Sequence, residues 1–149
     1  MASINVEQIN VEQINDDYEF IQYNAHLRII HSIKDDMYQM NSIIKACNSN
    51  KQVRHWFDNK STQEFLENSS GRILPDQKIY EDRPNLPNEL KGIYVHRLLV
   101  NHIAMWASPK YAWDIMKLLD SIFEQEREQQ QKQIDELKPR AVPDNNKTD

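Results

Sequence analysis

Cysteine and glycine are the residues that this sequence most clearly lacks. The 149 residues include one cysteine, Cys47, so no intramolecular disulfide can form and no zinc module with several cysteine ligands can be built. The two glycines, Gly71 and Gly92, are too few for the glycine-rich loops of Walker A and dinucleotide-binding sites. These absences exclude the RING and zinc-ribbon classes and the common nucleotide-dependent enzymes, and we expect no cofactor.

Long apolar runs and targeting signals are also missing. No stretch of eighteen apolar residues occurs, so we expect no membrane-spanning segment. The first thirteen residues have neither the basic cluster nor the apolar core of a secretory signal. The length predicts one domain with tails or a helical extension, in the cytosol or the nucleus.

No constellation of catalytic residues can be recognised. The histidines are scattered, none forms an i, i+4 pair, and their spacing is typical of ordinary polar or half-buried histidines; they are His26, His31, His55, His96 and His102. Cys47 falls in an apolar helical stripe, which favours a buried small hydrophobic residue over a nucleophile. The paired acids at 16–17, 35–36 and 81–82 are interpreted as solvated turn or tail residues. We therefore expect a protein that is not an enzyme.

Charge is distributed unevenly along the chain. The formal net charge is −5, but residues 1–20 carry five acids and no Lys or Arg, and residues 120–149 carry eight acids and five bases. Residues 21–119 carry thirteen bases and ten acids, a net charge of +3. The sequence thus predicts a mildly basic centre with acidic ends, and the acidic total does not argue against a nucleic-acid partner.

The first half of the chain predicts a short sheet followed by short helices. A tandem INVEQ repeat and its acidity predict a disordered tail over 1–17. Aromatic and β-branched residues predict a strand from Tyr18, and residues 27–33 and 37–40 predict a β-hairpin. Asn41 opens a short helix. A second helix over 52–59 places Val53, Trp56 and Phe57 on one apolar stripe, with Trp56 in the core. Ser61 opens a third helix through a capping box.

The second half predicts a connector and two longer helices. Residues 69–90 form a long proline-containing connector with a short strand at 78–80. A strand at 93–95 precedes one helix, and Ser108 and Pro109 begin another. The first of these helices is predicted to bury one broad apolar face, made by Leu98, Leu99, His102, Ile103 and Trp106. The domain is predicted to span 18–123, with a Gln-rich helical extension over 124–138 and a disordered tail over 139–149. The predicted fold class is α+β: a small helix-rich domain with a β-hairpin wing and a helix-turn-helix-like pair, followed by a long C-terminal helix.

Basic residues gather on the predicted short helices and at the hairpin tip. They are Lys34, Lys45, Lys51, Arg54 and Lys60, with His55 beside them. A helix pair with a basic hairpin is the arrangement of a winged helix-turn-helix, in which one helix enters a DNA groove. A solvated polar face of a small helical domain explains the same pattern equally well.

Three blocks of sequence resemble the KilA-N domain of large DNA viruses and bacteriophages, a relative of the fungal APSES DNA-binding domain. Residues 36–45, DMYQMNSIIK, stand where that family has a strand followed by a helix. Residues 53–62, VRHWFDNKST, follow its HW and kST segment. Residues 90–96, LKGIYVH, and 103–112, IAMWASPKYA, match its last block. The resemblance extends from about residue 29 to residue 122.

The resemblance implies a viral protein that binds double-stranded DNA with low sequence specificity, in a regulatory or genome-associated role. It implies a location in the viral factory of the host cytoplasm or in the nucleus. We expect Lys51 and Arg54 to be the main phosphate contacts, with Lys34, Lys45, His55 and Lys60 secondary. Poxvirus relatives that join this domain to a RING finger act as ubiquitin ligases, but this chain lacks the necessary cysteines.

The alternative hypothesis is a protein–protein interaction module. In that case the chain is a RING-less decoy or an adaptor that forms a homodimer through the C-terminal helix between Ile115 and Leu137. Salt-insensitive binding to a protein partner would distinguish this function from DNA binding.

Overall fold

A computed structural model describes residues 9–23, 27–69 and 71–141 of the chain, with side chains up to residue 137. Six strands and five helices follow one another in the described part. The strands are β1 (Ile9–Gln13), β2 (Tyr18–Tyr23), β3 (Leu27–Ser32), β4 (Met37–Gln39), β5 (Tyr80–Arg83) and β6 (Gly92–His96). The helices are α1 (Met40–Ala46), α2 (Val53–Asp58), α3 (Lys60–Glu67), α4 (Arg97–Ala107) and α5 (Pro109–Ala141). The predicted α+β class and long C-terminal helix are confirmed.

The strands form one antiparallel sheet in the order β1-β2-β3-β4-β6-β5. The predicted hairpin is present as β3 and β4, with His31 opposite Tyr38 and Ser32 opposite Met37. It lies in the middle of the sheet, because β6 pairs with the other side of β4. The hairpin is therefore part of the domain's central layer, and its exposed residues are those of the turn and Arg28.

The sheet buries side chains on both of its faces. Ile29 and Val95 join the main core, which the helices cover, whereas Ile30 and Tyr94 join a second, smaller cluster with Leu90. Adjacent residues of one strand point to opposite faces of a sheet. Burial on both faces explains why β3 and β6 each contain consecutive apolar residues, Ile29 and Ile30 in β3 and Ile93, Tyr94 and Val95 in β6.

The prediction of a disordered acidic tail over 1–17 is wrong for residues 9–13, which form β1. The second copy of the INVEQ repeat pairs with β2, and Ile9 and Val11 lie opposite Tyr23 and Ile21. Pairing with β2 gives hydrogen-bond partners to the backbone groups of this polar segment that face β2, even though most of its side chains are exposed. The first copy of the repeat, residues 4–8, lies outside the described residues.

The prediction of a disordered tail over 139–149 needs a smaller correction. Helix α5 continues to Ala141, so the Gln-rich segment and the first residues of the predicted tail belong to one uninterrupted helix. Pro139 lies near its C-terminal end. The remaining residues of that prediction, 142–149, lie outside the described part.

The third helix begins earlier than the capping box predicted. Asn59 is its N-cap, and its side-chain oxygen accepts a hydrogen bond of 2.8 Å from the backbone N–H of Ser61. Asn59 also ends α2, so the two short helices share one residue as their junction. An asparagine in this position satisfies a backbone donor that would otherwise be unpaired.

Trp56 is fully buried, as predicted, and it joins α2 to α4. Its Nε1–H donates to Nδ1 of His102 at 3.1 Å. Burial lowers the pKa of His102, which favours the neutral ring that can accept this bond. Phe57 packs edge-on against the Trp56 ring. The helix is only six residues long, so its place in the fold depends on this anchor rather than on its own stability.

Three of the acids predicted to be solvated, Asp35, Asp36 and Glu81, are instead part of ion-pair networks. Asp35 binds Arg83, whose Nη1 also donates to the hydroxyls of Tyr18 and Ser32. Glu81 binds the same arginine at 2.8 Å. Arg83 thereby joins the strand within the long connector to the turn between β3 and β4. The strand in that connector is Tyr80–Arg83, slightly later than the predicted 78–80.

His31 is the centre of the second network. Its ring nitrogens contact Glu19 at 2.7 Å and Asp36 at 2.8 Å. Asp36 also accepts from Arg97 at 2.6 Å, and Arg97 binds Glu126 on α5 at 3.0 Å. Burial by itself lowers the pKa of His31, but the bonds to the two carboxylates raise it by more, so the net shift is upward.

Stability is expected to fall as the pH rises through the folded-state pKa of His31. When folding raises the pKa of a histidine, the resulting stabilisation is fully present below the unfolded-state pKa of about 6.5. It is lost as the pH rises from there through the folded-state pKa. Urea unfolding between pH 6 and pH 9, in wild type and in His31→Gln, measures this. The variant should lack that pH-dependent loss, and Lys34→Ala, in the same hairpin, should retain it. An identical pH profile for His31→Gln and wild type would contradict the prediction.

Candidate nucleic-acid interface

A groove with basic walls lies where α1 meets the sheet. Its volume is about 560 Å³. One wall comes from β2 and β3, another from α1 and the loop after it, and the third from the connector before β6. The charged residues that line it are Arg28, Lys45, Lys51, Glu89 and Lys91. Four cations therefore surround one acid, although they come from four separate parts of the sequence.

The corner between β4 and α1 fixes the shape of the groove. The Ser42 hydroxyl donates to the carbonyl of Gln39 at 2.8 Å and accepts from the N–H of Ile30 at 3.0 Å. The buried Gln39 amide donates to the carbonyls of Glu89 and Lys91 at 3.0 and 3.1 Å. The strand, the helix and the connector are thus joined by hydrogen bonds, and the Lys91 backbone is held at the rim.

Gly92 allows this close approach. Its φ of +126° lies in a region that side chains rarely adopt, and an added Cβ would lie 3.4 Å from the Asn41 amide nitrogen. Glycine adopts such a backbone conformation at no steric cost. The glycine in the LKGIYV block therefore has a structural role, since it lets the connector pass beside the start of α1 and enter β6.

Helix α1 separates a buried face from a basic face. Ile43, Ile44 and Cys47 are buried, whereas Asn41 and Lys45 are exposed and lie one turn apart. Burial raises the pKa of the Cys47 thiol to about 11, so this cysteine stays protonated at neutral pH. The prediction that Cys47 is a buried hydrophobic residue is confirmed, and the helix presents Lys45 to the groove.

Lys51 contributes its charge while also holding the loop after α1. Its Nζ donates to the backbone carbonyl of Trp106 at 2.7 Å and lies 5.1 Å from the centre of the Trp106 ring. That carbonyl belongs to the last turn of α4, where the helix dipole favours a cation. An ammonium group has three donors, so Lys51 can bind the carbonyl and an anion at once.

Arg28 already contacts groups of its own chain that would compete with a bound phosphate. Its guanidinium carbon lies 3.5 Å above the Phe20 ring, and Nη2 binds Glu12 of β1 at 3.0 Å. Stacking on an aromatic ring orients the guanidinium. Both partners of the ion pair are largely exposed, and exposed pairs of this kind contribute only about 0–1 kcal/mol. A phosphate could therefore replace Glu12 at small cost.

The structure brings together only part of the predicted site. Lys45 and Lys51 line the groove, whereas Arg54 and His55 are exposed on α2 and Lys60 is exposed at the start of α3. Since α2 begins two residues after Lys51, these three side chains extend the polar surface along the chain. Lys34 is exposed in the turn between β3 and β4, beside Asp35 and Asp36 and their arginine partners.

Sequence reasoning missed Arg28 and Lys91. Arg28 is the exposed residue between Leu27 and Ile29 in β3, and the alternating pattern identified it as solvent-facing without giving it a role. Lys91 precedes Gly92 in a block noted only for its resemblance. No sequence signal showed that the connector returns to α1, because that contact depends on the Gln39 amide, about fifty residues away along the chain.

Other kinds of site are not formed by the described residues. Within residues 9–23, 27–69 and 71–141, no three His, Cys, Asp or Glu side chains cluster as metal ligands would. In the same part of the chain, no helix combines the length and apolar character needed to cross a membrane.

Comparison with known proteins identifies the family. The KilA-N domain model matches residues 21–125. Two KilA-N domain-containing proteins of Acanthamoeba polyphaga mimivirus are 32% and 24% identical to the chain over 116 and 109 residues, 72% of the chain in each case. The chain spans about a third of their lengths, 31% and 32%.

A solved structure is also similar, although distantly. It is a DNA complex of PCG2, and the similarity covers 80% of this chain and 89% of that chain, with 14% identity and a TM-score of 0.38. The family model, by contrast, covers most of the chain and includes all three sequence blocks described above. The protein belongs to the KilA-N family.

Proposed function

We propose that the chain binds double-stranded DNA without enzymatic activity, and that the basic groove is the main contact. The observation that carries this proposal is the convergence of Arg28, Lys45, Lys51 and Lys91 around a groove with one acid, Glu89. Cations at this density attract phosphates whatever the base sequence. Membership of the KilA-N family supports the same function, because the resemblance implies DNA binding.

The rim of the groove supplies neutral polar groups beside the cations. Asn41, Ser49 and Asn88 line it, and Asn48 and Asn50 line the adjoining surface between Lys45 and Ser108. Side chains of this kind hydrogen-bond to phosphate oxygens and sugars and so position a protein on the duplex. The exposed residues of α2, including Arg54 and His55, would extend the contact.

The chemistry of the cations supports the proposal of low sequence specificity. Three of the four are lysines, which act as flexible point charges, and the fourth is an arginine stacked on Phe20. Base readout usually depends on side chains that bond two base atoms at once, above all arginine, asparagine and glutamine. A lysine-rich groove suits a regulatory or genome-associated protein that acts wherever viral DNA is present, in the viral factory or the nucleus.

A salt titration of duplex binding tests the proposed function. Wild-type protein should shift a mixed-sequence duplex of about 20 base pairs at low salt, with log affinity falling linearly against log salt. Three to four phosphate contacts give a slope of about −3 to −4. An unrelated duplex of equal length should bind within a few-fold. Absence of binding at low salt would refute DNA binding, and strong preference for one duplex would refute low specificity.

A protein–protein interaction module remains the second candidate function. The observation that favours it is an apolar groove on the surface made by α3, α4 and α5, where Leu98, Met105 and Trp113 are each more than half exposed. The sequence predicted Leu98 to be buried. Instead, α4 turns Leu99, Val100 and Ile103 into the core, which leaves Leu98 and Met105 outside.

A further inference from the structure

The far end of α5 extends beyond the domain and carries apolar side chains in solvent. Residues 124–137 are all exposed, and Ile134 and Leu137 are 48% and 63% exposed. They lie three residues apart, so they share one face of the helix. A helical segment with this composition gains most of its stability from packing its apolar face against another surface.

The same helix carries an apolar surface at its other end. Trp113 is 68% exposed, and together with Met116 it lines the groove that Leu98, Met105 and Phe65 complete. The groove has a volume of about 590 Å³. Exposed tryptophan and methionine side chains in one groove are typical of a surface that binds another chain.

The spacing of the two apolar ends fits one heptad register. Positions 113, 116, 120, 123, 127, 130, 134 and 137 alternate in steps of three and four, as in a coiled-coil seam. Apolar side chains occupy both ends of this seam, Trp113 and Met116 at one and Ile134 and Leu137 at the other. The polar positions between them, Asp120, Arg127 and Gln130, conceal the register in the sequence.

We propose that two copies of the chain associate through antiparallel α5 helices. In an antiparallel pair, a step of three residues forward along one helix matches a step of three residues backward along the other. Trp113 therefore faces Leu137 of the second copy in the same register in which Met116 faces Ile134 of the second copy. A two-fold axis repeats both contacts, as self-complementary dimers require. The second copy's distal helix thereby covers the apolar groove, and the first copy's distal helix covers the groove of the second.

The middle of the seam is compatible with this arrangement. Phe123 faces Arg127 of the second copy, and Asp120 lies one turn from the same arginine. Two acids come near the two-fold axis, Glu124 and Glu126, and each already binds an arginine of its own chain. Glu124 binds Arg127 and Glu126 binds Arg97. The antiparallel pair thus brings together complementary charges and does not oppose unpaired like charges.

Sedimentation or light scattering across a micromolar concentration range tests the dimer. Wild type should convert from monomer to dimer as concentration rises. Ile134→Glu/Leu137→Glu should raise the dimer dissociation constant by at least about 100-fold, because four apolar side chains per dimer are replaced by charges. Gln125→Glu/Gln129→Glu, which adds the same charge at two exposed positions on the side of the helix away from the seam, should leave it nearly unchanged. A monomer at every concentration, or a persistent Ile134→Glu/Leu137→Glu dimer, overturns the proposal.

Disulfide trapping tests the antiparallel direction. Met116→Cys and Ile134→Cys are made separately, and the buried Cys47 is left in place. An oxidised mixture of the two variants should give a cross-linked dimer, whereas each variant alone should stay largely uncrosslinked. Efficient self-cross-linking of Ile134→Cys would instead show parallel helices and overturn the proposed register. Both readouts are independent of DNA, so failure here does not affect the proposed DNA binding.

Discussion

Lys45→Ala/Lys91→Ala is expected to weaken duplex DNA binding by about 100-fold at low salt. Each lysine would make one charge-assisted phosphate contact, and two contacts at about 1.5 kcal/mol each correspond to that change. The slope of log affinity against log salt should become shallower by about two. Both lysines are exposed at the rim of the groove, so folding should not change. Gel shifts at several salt concentrations measure both quantities.

The matched control removes two lysines from outside the groove. Lys78→Ala/Lys132→Ala changes the net charge by the same amount, and these residues lie on the connector and on distal α5. At about 0.1 M salt it should lower affinity no more than a few-fold, because the Debye length is then about 10 Å and exposed charges outside the groove are largely screened. Equal losses in the two double variants would show that net charge, rather than the groove, attracts DNA.

Two single variants test the residues predicted from the sequence. Lys34→Ala should have little effect if the groove is the contact, because Lys34 lies in the hairpin turn beside Asp35 and Asp36. Arg54→Ala should reduce affinity if α2 extends the contact beyond Lys51. A large loss from Lys34→Ala with no loss from Lys45→Ala/Lys91→Ala would favour the hairpin turn over the groove as the DNA contact.

Trp56→Ala is expected to lower the free energy of unfolding by about 3–5 kcal/mol, the range for truncating a buried tryptophan. The side chain is fully buried in the main core, and the variant also leaves His102 without its donor. Small domains have about 5–15 kcal/mol of stability in total. The variant should therefore unfold at much lower denaturant concentration, as fluorescence or circular dichroism would record.

A graded series separates the packing of Trp56 from its hydrogen bond. Trp56→Phe keeps an aromatic ring but loses the Nε1–H donor, so its cost should be clearly smaller than that of Trp56→Ala. Leu74→Ala, which truncates a side chain that is 62% exposed, should change stability by less than about 0.5 kcal/mol. If Trp56→Ala unfolds as wild type does, Trp56 is not the anchor of α2.

Local patterns were sufficient to predict most of the elements. The apolar stripe of α2 placed Trp56 in the core, and Ser108 followed by Pro109 located the start of α5. Alternation of exposed and buried residues in β3 and the turn at 34–36 predicted the hairpin. These signals are short-range, because helix caps, turns and stripes depend on residues within a few positions of one another. The KilA-N resemblance rests on the same local blocks.

The errors share a long-range cause. Residues 9–13 are acidic and repetitive, yet they form a strand because β2 offers them a free edge. Leu98 was assigned to the core of α4, but packing against α1 and α5 selected Leu99, Val100 and Ile103 instead. Asp35 and Asp36 have the sequence context of ordinary turn residues. In the fold they bind Arg83 and Arg97, which come from distant segments of the chain.

The sequence by itself determined the class of the fold, the family, the buried tryptophan and the basic centre of the chain. Tertiary structure alone decided which cations meet. Arg28 approaches Lys45 and Lys51 because β3 packs beside α1, and Lys91 joins them because Gln39 and Gly92 bring the connector back to α1. The same is true of the apolar groove, which forms where α3, α4 and α5 meet. Composition fixes how much charge and apolar surface a chain has, but the contacts between distant segments decide where that surface is concentrated.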